Sequence, residues 1–362
     1  MNEKTVLILA NASTGVYDFR NELMLALLEK YRVVVSVPDD LCVEQLKREG
    51  CMVIHTKIDR RGMSPKEDFG LFLAYCRLLK ELKPELVLTY TIKPNIYGGC
   101  ACRLKRIPYF STITGLGSAF RKGAVFRKMI IYMYRAGLRG ARCVFFQNAG
   151  NRELFNRYGI AGRKDKLVSG SGVNLDVHRA EEYPKEERIR FLFVGRIMKE
   201  KGIEEFLETA KSLHSDKVCF ELLGYCDEDY QELLGQYESQ GILIWHGFHT
   251  DVHSFLKKAS ALVLPTYHEG MSNVLMEASA TARPVIATNI SGCREVFEEG
   301  VTGFGCEPGS AESLTKALEK FLALSTKERQ EMGLAARAKM EREFDRKQVT
   351  AAYMEEVDAR IG

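Results

Sequence analysis

No apolar run in this sequence reaches the ~18 residues a helix needs to cross a bilayer, so no membrane-spanning helix is expected. The short apolar stretch Thr5-Val-Leu-Ile-Leu-Ala10 lacks the charged flank and cleavage site of a secretory signal. Ten cysteines are present but scattered; only Cys100 and Cys102 are close, and no paired metal-ligand spacing appears. Several, such as Cys143 and Cys219, sit in apolar segments. Reduced core thiols in a cytosolic chain are therefore expected, and a disulfide scaffold is not. The dinucleotide fingerprint is missing too. Asn11-Ala-Ser-Thr-Gly15-Val-Tyr-Asp18, after the first strand-like run, carries one glycine where NAD or FAD binding uses three. That segment is either a plain strand–helix turn or a backbone lying against a sugar or phosphate. No short repeat or low-complexity tract is visible. Acidic residues are absent from Leu86 to Arg152, a stretch that holds twelve basic ones.

What is present is ordinary in bulk and uneven in distribution. The 362 residues suffice for two domains with their own cores. Residues 1–170 hold 29 Lys and Arg against 15 Asp and Glu, a net +14; the remainder holds 23 against 33, a net −10. A basic half is compatible with nucleic acid, anionic lipid, a phosphate-bearing ligand or a merely solvated surface.

Strand-like and helix-like segments alternate in the first half. Thr5–Ala10, Arg32–Val37, Glu85–Tyr90 and Arg142–Gln147 read as parallel strands covered on both faces, with helices near Asp18–Lys30, Lys66–Lys83, Asn95–Arg106 and Lys122–Gly140. Polar Ala180–Glu187 reads as a linker. The pattern then restarts with Arg188–Gly195, Lys217–Gly224, Gly241–Trp245, Ser260–Pro265 and Pro284–Thr288. This predicts an α/β protein of two Rossmann-like domains facing each other across a cleft: residues 1–180, residues 188–344, and a helix over 345–362 that packs back on the first domain.

The most informative segment is His268-Glu-Gly-Met-Ser-Asn-Val-Leu-Met-Glu277-Ala. Glu269 follows a buried-looking strand, and Glu277 falls inside the helix expected to start near Ser272 or Asn273. Gly270, Met271, Ser272, Asn273 and Val274 supply the backbone N–H groups of a helix N-terminus, which attracts anions. Carboxylates flanking such a cradle suit sugar hydroxyls beside a diphosphate, a nucleotide-sugar site. Gly195 and Arg196 end the strand before it, and Lys201-Gly202 follows; the two cations either converge on a diphosphate or form surface pairs with Glu200 or Glu204. Gly224 and His246 close two further strands, His246 being structural or near the nucleotide. Asp227-Glu-Asp229 imitates a metal-binding pair but reads as the acidic first turn of a helix; no metal is expected. Lys93 and Asn95 in one loop, and Thr114, Gly115 and Gly117 in another, should face the cleft; Lys93 either meets a phosphate of a second substrate or is a solvated surface cation, and the glycine loop can approach the acceptor closely. Basic, aromatic Phe120–Arg139, with Arg121, Lys122, Arg127 and Lys128, is either an interfacial membrane helix or a core helix with a cationic outer side.

Val194-Gly-Arg196…Lys201-Gly202, Leu223-Gly224, His246-Gly-Phe248, Glu269–Glu277, Pro284–Thr288 and Gly292-Cys-Arg-Glu295 together resemble the family 4 glycosyltransferases of GT-B fold, over nearly the whole chain. The resemblance implies metal-independent, retaining transfer from a nucleotide sugar without a cofactor. Arg196 and Lys201 would hold the diphosphate, Glu269 the donor sugar and Glu277 the ribose, with Gly15, Gly195, Gly224 and His246 lining the donor site. Thr114 stands where the family often has histidine, so no catalytic histidine is assigned. Tyr90-Thr-Ile-Lys-Pro-Asn-Ile-Tyr97 and Thr112–Ala119 are similar to enzymes that extend undecaprenyl-diphosphate-linked saccharides in bacterial surface-polysaccharide or glycan assembly, often from UDP-GalNAc or a related UDP-sugar. The expected partners are a UDP-sugar, a lipid-linked acceptor and an anionic membrane surface, not nucleic acid; the expected location is cytoplasmic, on the inner face of the cell membrane. A UDP-sugar epimerase or hydrolase on the same fold, and a non-catalytic nucleic-acid or membrane binder, are the alternatives.

Overall fold

The computed structural model describes residues 4–59, 62, 64–115, 123–160, 162–185 and 188–362. They form two compact units, Met1–Ser171 with Arg346–Gly362, and Gly172–Asp345.

The first unit holds a parallel sheet of order β3-β2-β1-β4-β5-β6-β7. Its strands are β1 (Thr5–Leu9), β2 (Arg32–Val37), β3 (Met52–His55), β4 (Leu86–Tyr90), β5 (Tyr109–Ile113), β6 (Cys143–Phe146) and β7 (Asp165–Leu167). Every residue of β1, β4, β5 and β6 is buried, as runs rich in Val, Leu, Ile and Phe require when helices cover both faces. The helices are α1 (Ser13–Leu28), α2 (Val43–Arg48), α3 (Pro65–Leu82), α4 (Gly99–Lys105), α5 (Gly123–Leu138), α6 (Ala149–Arg157) and the C-terminal α13 (Arg346–Ile361). Strong end signals bound α3: the Ser64 hydroxyl accepts from Glu67 N–H, Pro65 occupies the first turn, and Lys83 closes it in a left-handed conformation.

Sequence and structure differ at several points here. α1 starts at Ser13, so Gly15 lies in a helix and not in the expected loop; the early start is fixed by Asp39, which accepts from the Ser13 backbone and hydroxyl. A non-helical Arg20 then kinks that helix. Ahead of α4, Pro94–Gly98 winds as a π-turn.

The second unit repeats the design with order β10-β9-β8-β11-β12-β13. Its strands are β8 (Ile189–Val194), β9 (Val218–Leu223), β10 (Leu243–Trp245), β11 (Ala261–Leu264), β12 (Val285–Thr288) and β13 (Gly303–Cys306). Helices α7 (Ile203–Leu213), α8 (Gln231–Ser239), α9 (His253–Leu256), α10 (Asn273–Ala280), α11 (Ala311–Leu322) and α12 (Thr326–Lys339) surround them. Both sheets reverse their winding beside their first strand, at β1/β4 and at β8/β11, where ligands of such sheets collect.

The chain enters the second unit at Gly172, ahead of the Ala180–Glu187 stretch read as a linker. The polar composition of that stretch hides an anchor. Arg283, fully buried, donates to the carbonyls of Glu181 and Glu182 as well as to those of Leu256, Lys257, Thr281 and Ala282. Burial pulls its pKa down to about 10, still well above neutrality, so the guanidinium stays charged.

α13 completes the core of the first unit. Tyr353 stacks on Phe145 at 3.9 Å between ring centroids, and its hydroxyl meets Thr112 Oγ1 at 2.7 Å. Replacing Tyr353 by Ala should destabilise the first unit by about 3–5 kcal/mol in denaturant titration. Tyr353→Phe, which only orphans the Thr112 hydroxyl, should cost about 1–3 kcal/mol.

Candidate active site

The second unit's switch point gathers most of the residues singled out above. β8 ends at Val194 and runs through Gly195 and Arg196 into a 3-10 turn, Lys199–Lys201. Gly202 follows at φ +76°, and a Cβ there would lie 2.1 Å from the Pro265 carbonyl oxygen. Only glycine lets this turn press against the chain leaving β11. Tyr267 N–H and Thr266 Oγ1 both donate to the Glu200 carbonyl, at 2.9 and 3.2 Å. Buried Glu205 of α7 accepts from the Tyr267 hydroxyl at 2.6 Å. With the segments fastened, Lys201 Nζ forms an ion pair with Glu269. The two side chains are only 21% and 13% exposed, so the contact is largely shielded from water.

A second turn clamps Glu269 from the other side. Gly292 has φ +93°, and a Cβ there would sit 2.8 Å from the Glu269 carbonyl oxygen. Ser272 N–H donates to the Gly292 carbonyl at 2.9 Å, and Glu295 accepts from Gly292 N–H at 2.7 Å and Ser291 Oγ at 3.0 Å. These bonds set where α10 begins. Ser272 precedes it in an extended conformation, and its side chain makes no cap bond. The first-turn N–H groups are thus free of a side-chain cap, as an anion-receiving helix end requires. Met271 and Ser272 are buried; Asn273, Val274 and Glu277 are half-buried. Neighbouring Cys293 is fully buried, which with the charge of Glu269 pushes its thiol well above the usual range and makes it a packing residue.

Arg196 behaves otherwise than expected. It pairs with Asp227 at 2.8 Å, not with a cluster around Lys201, nor with Glu200 or Glu204. Asp227 does not open a helix, since α8 begins at Gln231. It holds Arg196, while Glu228 accepts from Lys199 N–H at 2.8 Å. The acidic run thus ties the loop after β9 to the loop after β8. Gly224 serves the same junction: a Cβ there would lie 1.8 Å from the Gly195 carbonyl oxygen. His246 Nε2 meets buried Glu221 at 2.9 Å, and Glu221 also takes Arg190 at 2.7 Å, so His246 hydrogen-bonds to the carboxylate of an ion pair between β8 and β9.

The first unit corrects two expected acceptor contacts. Lys93 is paired with Asp68 at 2.6 Å, both side chains being mostly buried. Asn95 is fully buried; its amide donates to the Thr112 carbonyl at 2.8 Å and accepts from Thr89 Oγ1 at 2.7 Å. Its amide is spent within the sheet and cannot meet a substrate. The Gly15 carbonyl accepts from Arg20. Thr114 and Gly115 leave β5 half-buried, while Arg127 and Lys128 are exposed on α5. Gly117, Arg121 and Lys122 lie outside the described residues. Glu205 and Glu295 were not foreseen as supports. Glu295 stood in a quoted motif without a role, and nothing in the sequence links Glu205 to Tyr267.

Known proteins are similar to this chain in sequence and in fold. Residues 5–148 match the family described as glycosyl transferase 4-like, and residues 176–339 match glycosyl transferases group 1. The N,N'-diacetylbacillosaminyl-diphospho-undecaprenol alpha-1,3-N-acetylgalactosaminyltransferase of Campylobacter jejuni is 26% identical, over 98% of each chain. The capsular polysaccharide biosynthesis glycosyltransferase CapM of Staphylococcus aureus is 27% identical over 77% of this chain and 78% of its own. Among solved structures, Anabaena HepE in complex with UDP and glucose superposes with a TM-score of 0.81 at 17% identity, covering 98% of this chain and all (100%) of its own. The chain is a glycosyltransferase of GT-B fold and belongs to the family 4 group of these enzymes.

Proposed function

We propose that this enzyme moves a sugar, GalNAc or a related hexose or N-acetylhexosamine, from a UDP-sugar to a lipid-diphosphate-linked saccharide. The product would serve surface-polysaccharide or glycan assembly. The observation that carries the reading is the shielded Lys201–Glu269 pair at the β8/β11 switch point, next to the start of α10. The names of the Campylobacter and Staphylococcus relatives support the substrate class. The UDP complex of HepE supports the donor.

On this reading the ion pair is a resting arrangement. A donor diphosphate offers Lys201 a second anionic partner, and the donor sugar offers Glu269 hydroxyl protons. The first turn of α10 receives phosphate oxygens on its N–H groups, and Glu277 takes the ribose hydroxyls. Arg196, 42% exposed at its side chain, exchanges Asp227 for the diphosphate. The largest charge to develop is on the departing phosphate, and fixed donors aimed at it lower the barrier. The acceptor hydroxyl attacks the anomeric carbon on the face the diphosphate leaves. A new C–O bond forms as the old one breaks, the proton passes to the leaving phosphate oxygen, and configuration is retained. No metal ion and no side-chain base take part.

The enzyme would work on the cytoplasmic face of the membrane. No helix among the described residues is long and apolar enough to cross one. Exposed Val125, Phe126, Met129 and Tyr132 lie on α5 beside exposed Arg127 and Lys128. Apolar side chains can enter the interface there while the cations meet anionic lipid.

Incubation of a UDP-sugar panel with synthetic lipid-diphosphate saccharides, with mass spectrometry and anomeric NMR of the product, tests the reading. Donor turnover that never needs an acceptor would instead favour the epimerase or hydrolase. Lys201→Ala should lower kcat on the order of a hundredfold, about 3 kcal/mol of transition-state stabilisation. EDTA should leave turnover unchanged. Phe126→Asp combined with Val125→Asp should weaken binding to anionic vesicles in sedimentation assays while KM for the UDP-sugar stays constant.

A further inference from the structure

A groove of about 410 Å³ opens in the first unit between the end of β3 and the length of α3. Its volume lies within the range of about 300–1,000 Å³ typical of small-molecule sites. We propose that it binds a neutral saccharide, the sugar portion of the lipid-linked acceptor; this rests on the function proposed above.

Charge is the first argument. The unit is strongly basic, yet this groove is not. Among the described residues, Asp59, Glu67, Asp68 and Glu81 line it against Lys57 and Arg77, with Asp68 paired to Lys93. An anionic ligand, attracted to the rest of the unit, finds no surplus of cations among them. A phosphate, a diphosphate or a nucleotide is therefore disfavoured. Sugar hydroxyls both donate and accept, so they satisfy carboxylates and a guanidinium together.

The second argument is the floor. Leu71, Ala74 and Leu78 supply an aliphatic strip along α3, against which the C–H face of a sugar ring can lie. The third is preorganisation. Asp68 is held by Lys93 at 2.6 Å, and the ionisation of nearby Tyr97 is suppressed first by burial and then by Asp68. Lys93 follows β4 at the switch point of the first sheet. The ion pair that removes Lys93 from direct substrate contact thus fixes one rim of the groove next to the place where ligands of such sheets collect.

Gly70 provides the test. It lines the groove from within α3, and a Cβ added there meets nothing within 4 Å. Gly70→Ala improves helix propensity and leaves the groove nearly open; Gly70→Phe fills it. Methyl α-N-acetylglucosaminide and, separately, inorganic phosphate are titrated into the full chain by saturation-transfer NMR and calorimetry. The glycoside should bind to wild type and Gly70→Ala and be lost in Gly70→Phe, with melting temperatures at or above wild type. Phosphate binding abolished by Gly70→Phe, no glycoside binding, or glycoside binding that survives Gly70→Phe overturns the proposal. With lipid-linked acceptor, Gly70→Phe and Arg77→Ala should each raise acceptor KM at least tenfold and leave KM for the UDP-sugar unchanged. An unchanged acceptor KM in both variants also overturns it. Absence of transfer in the wild type, with glycoside still bound in the groove, would count against the proposed function and not against the site.

Discussion

Contact between the turn after β8 and the segment after β11 is the constraint on which the Lys201–Glu269 site of the second unit depends. Two neighbouring parallel strands end side by side, and their exits would ordinarily diverge. Here they are pulled together, with Gly202 on Pro265 and the Glu200 carbonyl shared by Thr266 and Tyr267. A cation and a carboxylate are then forced into one shielded spot. Such a pair contributes little to stability, because desolvation offsets most of its attraction. Either partner alone in this shielded spot would be costly, so each charge is tolerated there only because the other is present.

The same logic explains how much of the molecule could be read in advance. β1, β2, β4, β6, β8, β9, β11 and β12 were legible because doubly covered strands are continuous apolar runs, and β10 by its Ile-Leu-Ile-Trp run; β5, Tyr109-Phe-Ser-Thr-Ile, is just as buried but was not named, because Ser111 and Thr112 interrupt the apolar signal. β7, Asp165-Lys-Leu, is a polar edge strand, and β13, Gly303-Phe-Gly-Cys, is half glycine; neither carries the hydrophobic signal. β3 is an edge strand with two exposed positions. The site followed a similar rule. Lys201, Glu269 and the start of α10 were visible because strand-end position and residue type agree.

Lys93 and Asn95 were misplaced because a polar residue near a strand end resembles a ligand contact whether it faces a substrate or the fold, and Asp227, read as the first turn of a helix, instead ties the loop after β9 to Arg196. Asn95 shows the difficulty. Its partners are the Thr89 hydroxyl and the Thr112 carbonyl, on two neighbouring strands, and their proximity exists only once the sheet has formed. Arg283 is the converse case. A charged residue beside Pro284 looks solvent-facing in sequence, yet it collects six carbonyls at 0% exposure. Unpaired main-chain oxygens are invisible in a sequence, so their counter-charge is too.

α13 has a consequence for biosynthesis. Phe145 and Thr112 leave the ribosome long before Tyr353, which covers them. The sheet that is made first is therefore sealed last, and an aromatic face stays open to solvent while the whole of Gly172–Asp345 is translated. A nascent chain in this state is a natural client for chaperones that bind apolar strands, and premature termination anywhere before residue 346 yields a first unit without its final layer.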